Sequence, residues 1–224
     1  MSNKPLKIYG VPFSVHTRKV IVAARFKSIP YEITPVVPVI PDNPPPNWRS
    51  ISPTGLIPAI DDDGYVLADS TAIVLYLERK QAQPALLPAD PESYGTALFL
   101  DAWAGRFFHD VVHPLFHNQI VNPNIRKTPS DPAAIDTALH RRAPEALAYL
   151  EQRKPGRFLV GGAFSVADLA VVSNLIVFHY LGHRIDAGRY PKLAAYFAGH
   201  RDALAPVLER ERPFVESAGL DPKI

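Results

Sequence analysis

Apolar positions near the start of the chain change their period. Leu6, Ile8 and Tyr9 form a short β-like run that stops at Gly10-Val11-Pro12, and after Ser14 the residues Val15, Val20, Ile21 and Ala24 recur at helical spacing. A second β-rich stretch, Tyr31 to Val37, completes a strand–helix–strand unit, whose two strands the crossover rule makes parallel. Ile57-Pro58-Ala59-Ile60 and Tyr65-Val66-Leu67-Ala68 flank the acidic turn Asp61-Asp62-Asp63-Gly64 and predict a hairpin. Ser70 then opens a helix with Ile73, Val74, Tyr76 and Leu77 on its apolar face, ending near Gln83-Pro84.

Beyond Pro84 the β signals vanish, and helical periodicity takes over at 92–120, 133–153, 166–181, 191–198 and 200–211. The composition change at Pro84, Pro88 and Pro91 places a linker at 84–91, between an α+β module at 1–83 and an all-helical module at 92–224. The longest apolar stretch, Phe164 to Gly182, contains Ser165, Asp168, Ser173, Asn174 and His179. So many polar groups argue for a buried helix of a soluble protein rather than a lipid-facing span. Ser165-Val166-Ala167-Asp168 has the form of a capping box and needs no catalytic role. Seven prolines between Pro35 and Pro53, flanked by apolar segments on both sides, mark a long ordered or semi-ordered loop.

Composition narrows the chemistry. The 24 basic and 22 acidic residues are spread so evenly that neither module is a polyelectrolyte, which argues against a charge-driven grip on nucleic acid or an anionic membrane. With Cys 0, disulfide scaffolds, thiolate metal sites and protein-thiol nucleophiles are excluded, so any sulfur chemistry uses a sulfur brought in from outside. The start of the chain has no apolar leader core, which reads as a cytosolic protein.

Three local signals carry candidate chemistry. Pro58, next to strand-like Ala59, belongs at an edge, a turn or a cis bond, and a cis bond exposes the Ile57 backbone to an extended peptide. Asp69-Ser70 stands at a helix start, where capping alone accounts for the pair but free N–H groups also attract a carboxylate. Ser14 likewise heads a helix directly after a strand. Read singly, each is a structural residue as readily as a functional one; together they converge on one edge of the sheet.

Tyr9-Gly10-Val11-Pro12-Phe13-Ser14 with Thr17-Arg18-Lys19-Val20, Ser52-Pro53-Thr54-Gly55-Leu56-Ile57-Pro58-Ala59, Ala68-Asp69-Ser70-Thr71-Ala72-Ile73 and the Ser165–Asp168 box together resemble a cytosolic glutathione transferase. The placing of the serine is most similar to the serine-type classes, such as phi, and their bacterial relatives. The resemblance implies a thioredoxin-like domain that binds glutathione as cosubstrate, an all-helical domain that lines a pocket for a small hydrophobic electrophile, addition or substitution at an electrophilic carbon or peroxide reduction by the same glutathione sulfur, a homodimer, and neither a bound cofactor nor a metal. By motif position Ser14 hydrogen-bonds the glutathione sulfur, Ile57 before a cis Pro58 pairs with the cysteinyl backbone, and Asp69 and Ser70 hold the γ-glutamyl end. Phe13, Phe108, Val111 and Phe116 are the implied pocket walls, although core packing explains the helical aromatics equally well. Two departures stand out: Leu56, where the family often has Gln or Lys, and Asn43-Pro44-Pro45-Pro46, which lacks the Lys or His that commonly meets the glycyl carboxylate. They leave open a second reading, a binding or regulatory protein on the same scaffold.

A free thiol of pKa about 8.5 is only about 3% ionised at pH 7, and lowering it by about two units requires about 2.7 kcal/mol of preference for the anion. A hydrogen bond to a charged group supplies roughly 1.5–3 kcal/mol and a helix N-terminus about 0.3–1 kcal/mol, so no general base is needed. Ser14 therefore acts as a donor, with Tyr9 and Thr17 as rivals for the role. His109-Asp110-Val111-Val112-His113 with His117 imitates a helical zinc pattern, but Asp replaces Glu and Pro114 interrupts the stripe, so a solvated or pocket-lining face is expected. Asp101, earlier on the same helix, could reach across a dimer to the glutathione ammonium, with a solvent-facing acid the plainer reading.

Overall fold

Leu6 and Ile8 are buried on one side of β1 (Leu6–Tyr9), as alternation over a core requires. In this computed structural model, which describes residues 4–153 and 156–223, β1 pairs in parallel with β2 (Tyr31–Thr34) and antiparallel with β3 (Ala59–Asp62). β4 (Tyr65–Ala68) completes a four-stranded sheet of order β2-β1-β3-β4. The register sets Ile8 between Ile33 and Ile60, and on this face pack α1 (Val15–Phe26) and α3 (Ser70–Lys80). On the other face the row Tyr9, Ala59 and Ala68 meets Trp48 of the short α2 (Trp48–Ile51) together with Val36.

The strand limits follow from proline chemistry. β2 stops at Thr34 because Pro35 has no N–H to donate, and β3 starts at Ala59, two residues later than the apolar pattern predicts, because Pro58 has none either. The hairpin turns on Asp63 and Gly64, with φ 54° and 93°, and the Asp61 carboxylate accepts the Gly64 N–H at 2.8 Å. Lys27, the C-cap of α1, is fully buried, and its ammonium donates to the carbonyls of Gln81 and Pro84 at 2.7 and 2.9 Å and pairs with Glu78 at 2.5 Å. Glu78 also accepts the Leu86 N–H, so the chain as far as Leu86 is tied to the first of two units, Met1–Leu87 and Pro88–Ile224.

The second unit contains only helices among the described residues. α4 (Pro91–Phe107) continues through a π-helical stretch Phe108–Val112, α5 (His113–Phe116) and a second π-helical stretch His117–Arg126. The helix therefore runs past the predicted end at 120, and Pro114 lies within it rather than breaking it. After α6 (Pro132–Asp136) a third π-helical stretch, Thr137–Arg142, leads into α7 (Ala143–Gln152). α8 (Val166–Tyr180) is buried along its whole length and packs along α4, as its apolar run predicts. Inside it the Asn174 amide N–H2 donates to the Ala104 and Ala170 carbonyls at 3.2 and 3.0 Å, while its Oδ1 has no hydrogen-bond partner among the described residues. The Ser165–Asp168 capping box forms, and Asp168 also accepts from the Leu159 N–H and the Tyr196 hydroxyl at 2.8 and 2.9 Å. α9 (Pro191–Ala203) and α10 (Ala205–Ser217) follow, and among the described residues no helix is long and apolar enough to cross a membrane.

Candidate functional site

The turn from β1 into α1 is built by close approach. A Cβ on Gly10 would lie 2.4 Å from the Thr17 hydroxyl oxygen, so only glycine lets the backbone pass over the first turn of the helix. This brings Ser14 to the N-cap of α1, where its Oγ accepts the Thr17 N–H at 3.4 Å and its own N–H donates to the Val11 carbonyl at 3.0 Å. The hydroxyl proton of Ser14 has no acceptor among the described residues. The side chain is half-buried, within reach of a ligand.

At the head of α3, Asp69 is the N-cap, with its carboxylate accepting the Ala72 N–H at 2.9 Å. Its φ of 78° is one that side-chain-bearing residues rarely adopt, a conformation that costs on the order of 1–3 kcal/mol and concentrates at functional sites. Ser70 follows, buried, with its Oγ 3.4 Å from Nδ1 of His16. One turn along, Lys19 donates to the Thr71 hydroxyl at 2.8 Å. These two contacts join the N-terminal ends of α1 and α3, so the positive ends of both helix dipoles lie side by side. Ile57-Pro58, a cis bond, leads into β3, whose Ala59 pairs with Tyr9 at the end of β1. The Ile57 N–H and C=O have no hydrogen-bond partner among the described residues. Ser14, Asp69, Ser70 and Ile57 thus share one end of the sheet, a convergence that each local motif alone does not reveal.

The rivals of Ser14 are placed differently. Tyr9 packs against Trp48 at a ring separation of 6.0 Å on the sheet face away from α1 and α3, and Thr17 is fully buried. His16 was not singled out by sequence reasoning; its position two residues after Ser14, at the same helix end, is the signal that marks it. In the proline loop Asn43 has a structural task, accepting the Val37 N–H at 2.6 Å, while Leu56 stands 66% exposed.

Of the implied electrophile-pocket residues, Phe13 lies in the first unit, half-buried, its carbonyl accepting from Arg18 at 3.2 Å. Phe108, Val111 and Phe116 lie on the winding helix of the second unit; Phe108 and Phe116 are half-buried, and Val111 is fully buried. Val111 lines, with Trp103, Phe107 and Tyr149, a cavity of about 230 Å³ rimmed by Arg106 and Glu145. The histidine stripe is continuous across Pro114, with the His113 and His117 rings 4.1 Å apart. Burial, then repulsion from neighbouring His109 and Arg126, lowers the His113 pKa, and burial with His113 and Arg126 pushes His117 down to about 4. Among the described residues no cluster of three or more His, Asp or Glu is arranged to hold a metal ion. Asp101 is not solvent-facing as expected; it is only 6% exposed.

A parallel–antiparallel four-stranded sheet with helices on it, a cis-proline at one end and a following all-helical unit define a thioredoxin-like domain joined to a helical domain. Comparison with known proteins makes the assignment specific. A family model for the glutathione S-transferase N-terminal domain matches residues 8–85, and one for the C-terminal domain matches residues 132–199. Glutathione S-transferase 3 of Zea mays is 30% identical over 166 residues, 73% of this chain and 74% of the relative. Maleylpyruvate isomerase of a Ralstonia species is 28% identical over 217 residues, 93% of this chain and 99% of the relative. Among solved structures, a human theta-class glutathione transferase bound to the glutathione conjugate of 1-menaphthyl sulfate superposes with a TM-score of 0.85 at 23% identity, covering 96% of this chain and 91% of that one. The chain belongs to the glutathione S-transferase family and is an enzyme of that family.

Proposed function

We propose that the enzyme binds glutathione across the joined heads of α1 and α3 and uses its sulfur, held as thiolate by Ser14, against a small apolar electrophile. The observation that carries this reading is the Ser14 hydroxyl, capped onto α1 with its proton uncommitted among the described residues. Donated to sulfur, that proton and the helix end together supply roughly 2–4 kcal/mol, against the about 2.7 kcal/mol that makes thiolate the majority species near neutral pH. Ser70 and the head of α3 hold the γ-glutamyl carboxylate, Asp69 holds its ammonium, and the unpartnered Ile57 N–H and C=O pair with the cysteinyl backbone. Phe13, directly before Ser14, offers a half-buried ring to the electrophile.

The bound thiolate forms a sulfur–carbon bond as a leaving group departs with its electron pair, or adds to one carbon of an activated double bond while the π-electron pair passes to the neighbouring carbon, which then takes a proton from water. Binding both reactants in one site supplies the proximity. The partner we infer beyond these ligands is a second copy of the chain, supported by large apolar side chains left exposed, Leu56, Tyr65, Val66, Tyr94 and Phe99. Paired mutants test the assignment of the donor. Ser14→Ala is expected to lower kcat/KM at pH 7 by roughly tenfold to a hundredfold and to raise the pKa of the bound thiol in ultraviolet titration, with Tyr9→Phe close to wild type. If Tyr9→Phe abolishes conjugation and Ser14→Ala retains it, the donor is misassigned.

A further inference from the structure

We propose that His16 is a positioning residue for glutathione, orienting the Ser70 hydroxyl toward the ligand's carboxylate. The inference rests on the glutathione reading above and adds to it a side chain that neither the motif nor the comparisons single out. His16 occupies the second position of α1, two residues after Ser14, yet its contact is with α3: Nδ1 lies 3.4 Å from the Oγ of Ser70, 54 residues away in sequence. The Lys19–Thr71 hydrogen bond at 2.8 Å, one turn further along, holds the two helix heads at this spacing.

A serine hydroxyl has a single proton and two lone pairs. If Nδ1 accepts the Ser70 proton, the hydroxyl turns only lone pairs toward a carboxylate arriving at the head of α3, and the contact is repulsive. If Nδ1 carries the hydrogen and donates it to Oγ, the Ser70 proton is free to point at the carboxylate. The imidazole therefore decides whether the hydroxyl is a donor to the ligand, and an arriving anion selects the Nδ1–H form. Ser70 is 5% exposed, so water has little room to take over the role of the imidazole. The charged groups within a turn of this pair on the two helices are Arg18 and Lys19 on α1 and Asp69 at the head of α3. Lys19 donates to Thr71, Arg18 to the Phe13 carbonyl, and Asp69 accepts the Ala72 N–H, while the imidazole faces the Ser70 oxygen.

A double-mutant cycle tests this with S-methylglutathione, which has no thiol proton and so reports anchoring alone. Binding is measured calorimetrically at pH 7 for wild type, His16→Ala, Ser70→Ala and the double variant. His16→Ala is expected to weaken binding about tenfold, Ser70→Ala by at least as much, and the double variant no more than Ser70→Ala alone, since His16 acts through Ser70. His16→Asn, which keeps an N–H near the Nδ1 position, is expected to restore most of the affinity, and kcat at saturating glutathione is expected to be unchanged in both His16 variants. His16→Asn also supplies the comparison should His16→Ala fail to fold. Two outcomes overturn the role of His16 while leaving the glutathione reading intact: His16→Ala binding within about twofold of wild type, or losses that multiply in the double variant. An absence of saturable binding by the wild-type protein overturns the glutathione reading itself, and the role of His16 with it.

Discussion

Replacing His179 by phenylalanine should make the enzyme more stable, and more so at pH 5 than at pH 7. His179 lies on α8, 7% exposed, with its ring 4.3 Å from that of Phe197, and neither ring nitrogen has a hydrogen-bond partner among the described residues. Burial first, then the nearby cations Arg184, Arg201 and His183, pushes its pKa down to about 4 from an ordinary value of 6.5. The unfolded chain therefore takes up a proton as pH falls through about 6.5 while the folded chain does not. Stability from this residue is complete above that value and is lost as pH falls toward about 4. Between pH 7 and pH 5 the loss amounts to about 2 kcal/mol. In phenylalanine that loss disappears, and so does the roughly 1–3 kcal/mol cost of burying polar atoms without partners. Thermal unfolding of both proteins at pH 7 and pH 5 reads the difference: at about 2–4 °C per kcal/mol, acidification should lower the wild-type Tm by about 4–8 °C more than that of the variant. His113, His117 and His183 also have lowered pKa values, but they are present in both proteins and cancel. Equal acid shifts in the two proteins would refute the reasoning.

Two further substitutions probe how each unit is held. Gly10→Ala places a methyl group 2.4 Å from the Thr17 oxygen and should cost about 1–3 kcal/mol in urea unfolding, with part of the loss recovered when Thr17 is also changed to alanine, since the strain at φ 151° remains. Asp168→Ala removes the acceptor for the Leu159 N–H, the Ser165 N–H and hydroxyl, and the Tyr196 hydroxyl, all at 2.8–3.1 Å. It should lower stability by about 3 kcal/mol or more, seen as a reduced denaturant midpoint, while Asp168→Asn, which keeps one acceptor oxygen, should lose less.

Much of this architecture is legible in the sequence because the deciding interactions are local. The alternation of Leu6 and Ile8, the Asp-Gly turn and the continuous apolar run of α8 each specify an element within a few residues. Where the structure departs from the pattern, the cause is not written in the period. His109, His113 and His117 recur every four residues whether the backbone winds as an α-helix or includes π-helical turns, so neither the π-helical stretches nor the continuity through Pro114 is visible. Asp101 reads as an exposed acid because its burial is decided by what packs on it rather than by its neighbours in the chain.

The candidate site is legible in part for a more specific reason. Ser14, Asp69 and Ser70 are helix-start residues, and the feature that makes them good caps, a polar side chain beside free N–H groups, is the same feature that holds an anion. Sequence therefore finds them but cannot separate the two duties, since a cap satisfies the local pattern with or without a ligand. What separates them is distance: two helix heads 54 residues apart meet through His16 and Ser70, and capping requires no such meeting. A helix needs its own cap, whereas the packing of α1 on α3 sets two heads together and gives the proposed ligand both to span, with a Ser14 hydroxyl proton that has no acceptor among the described residues.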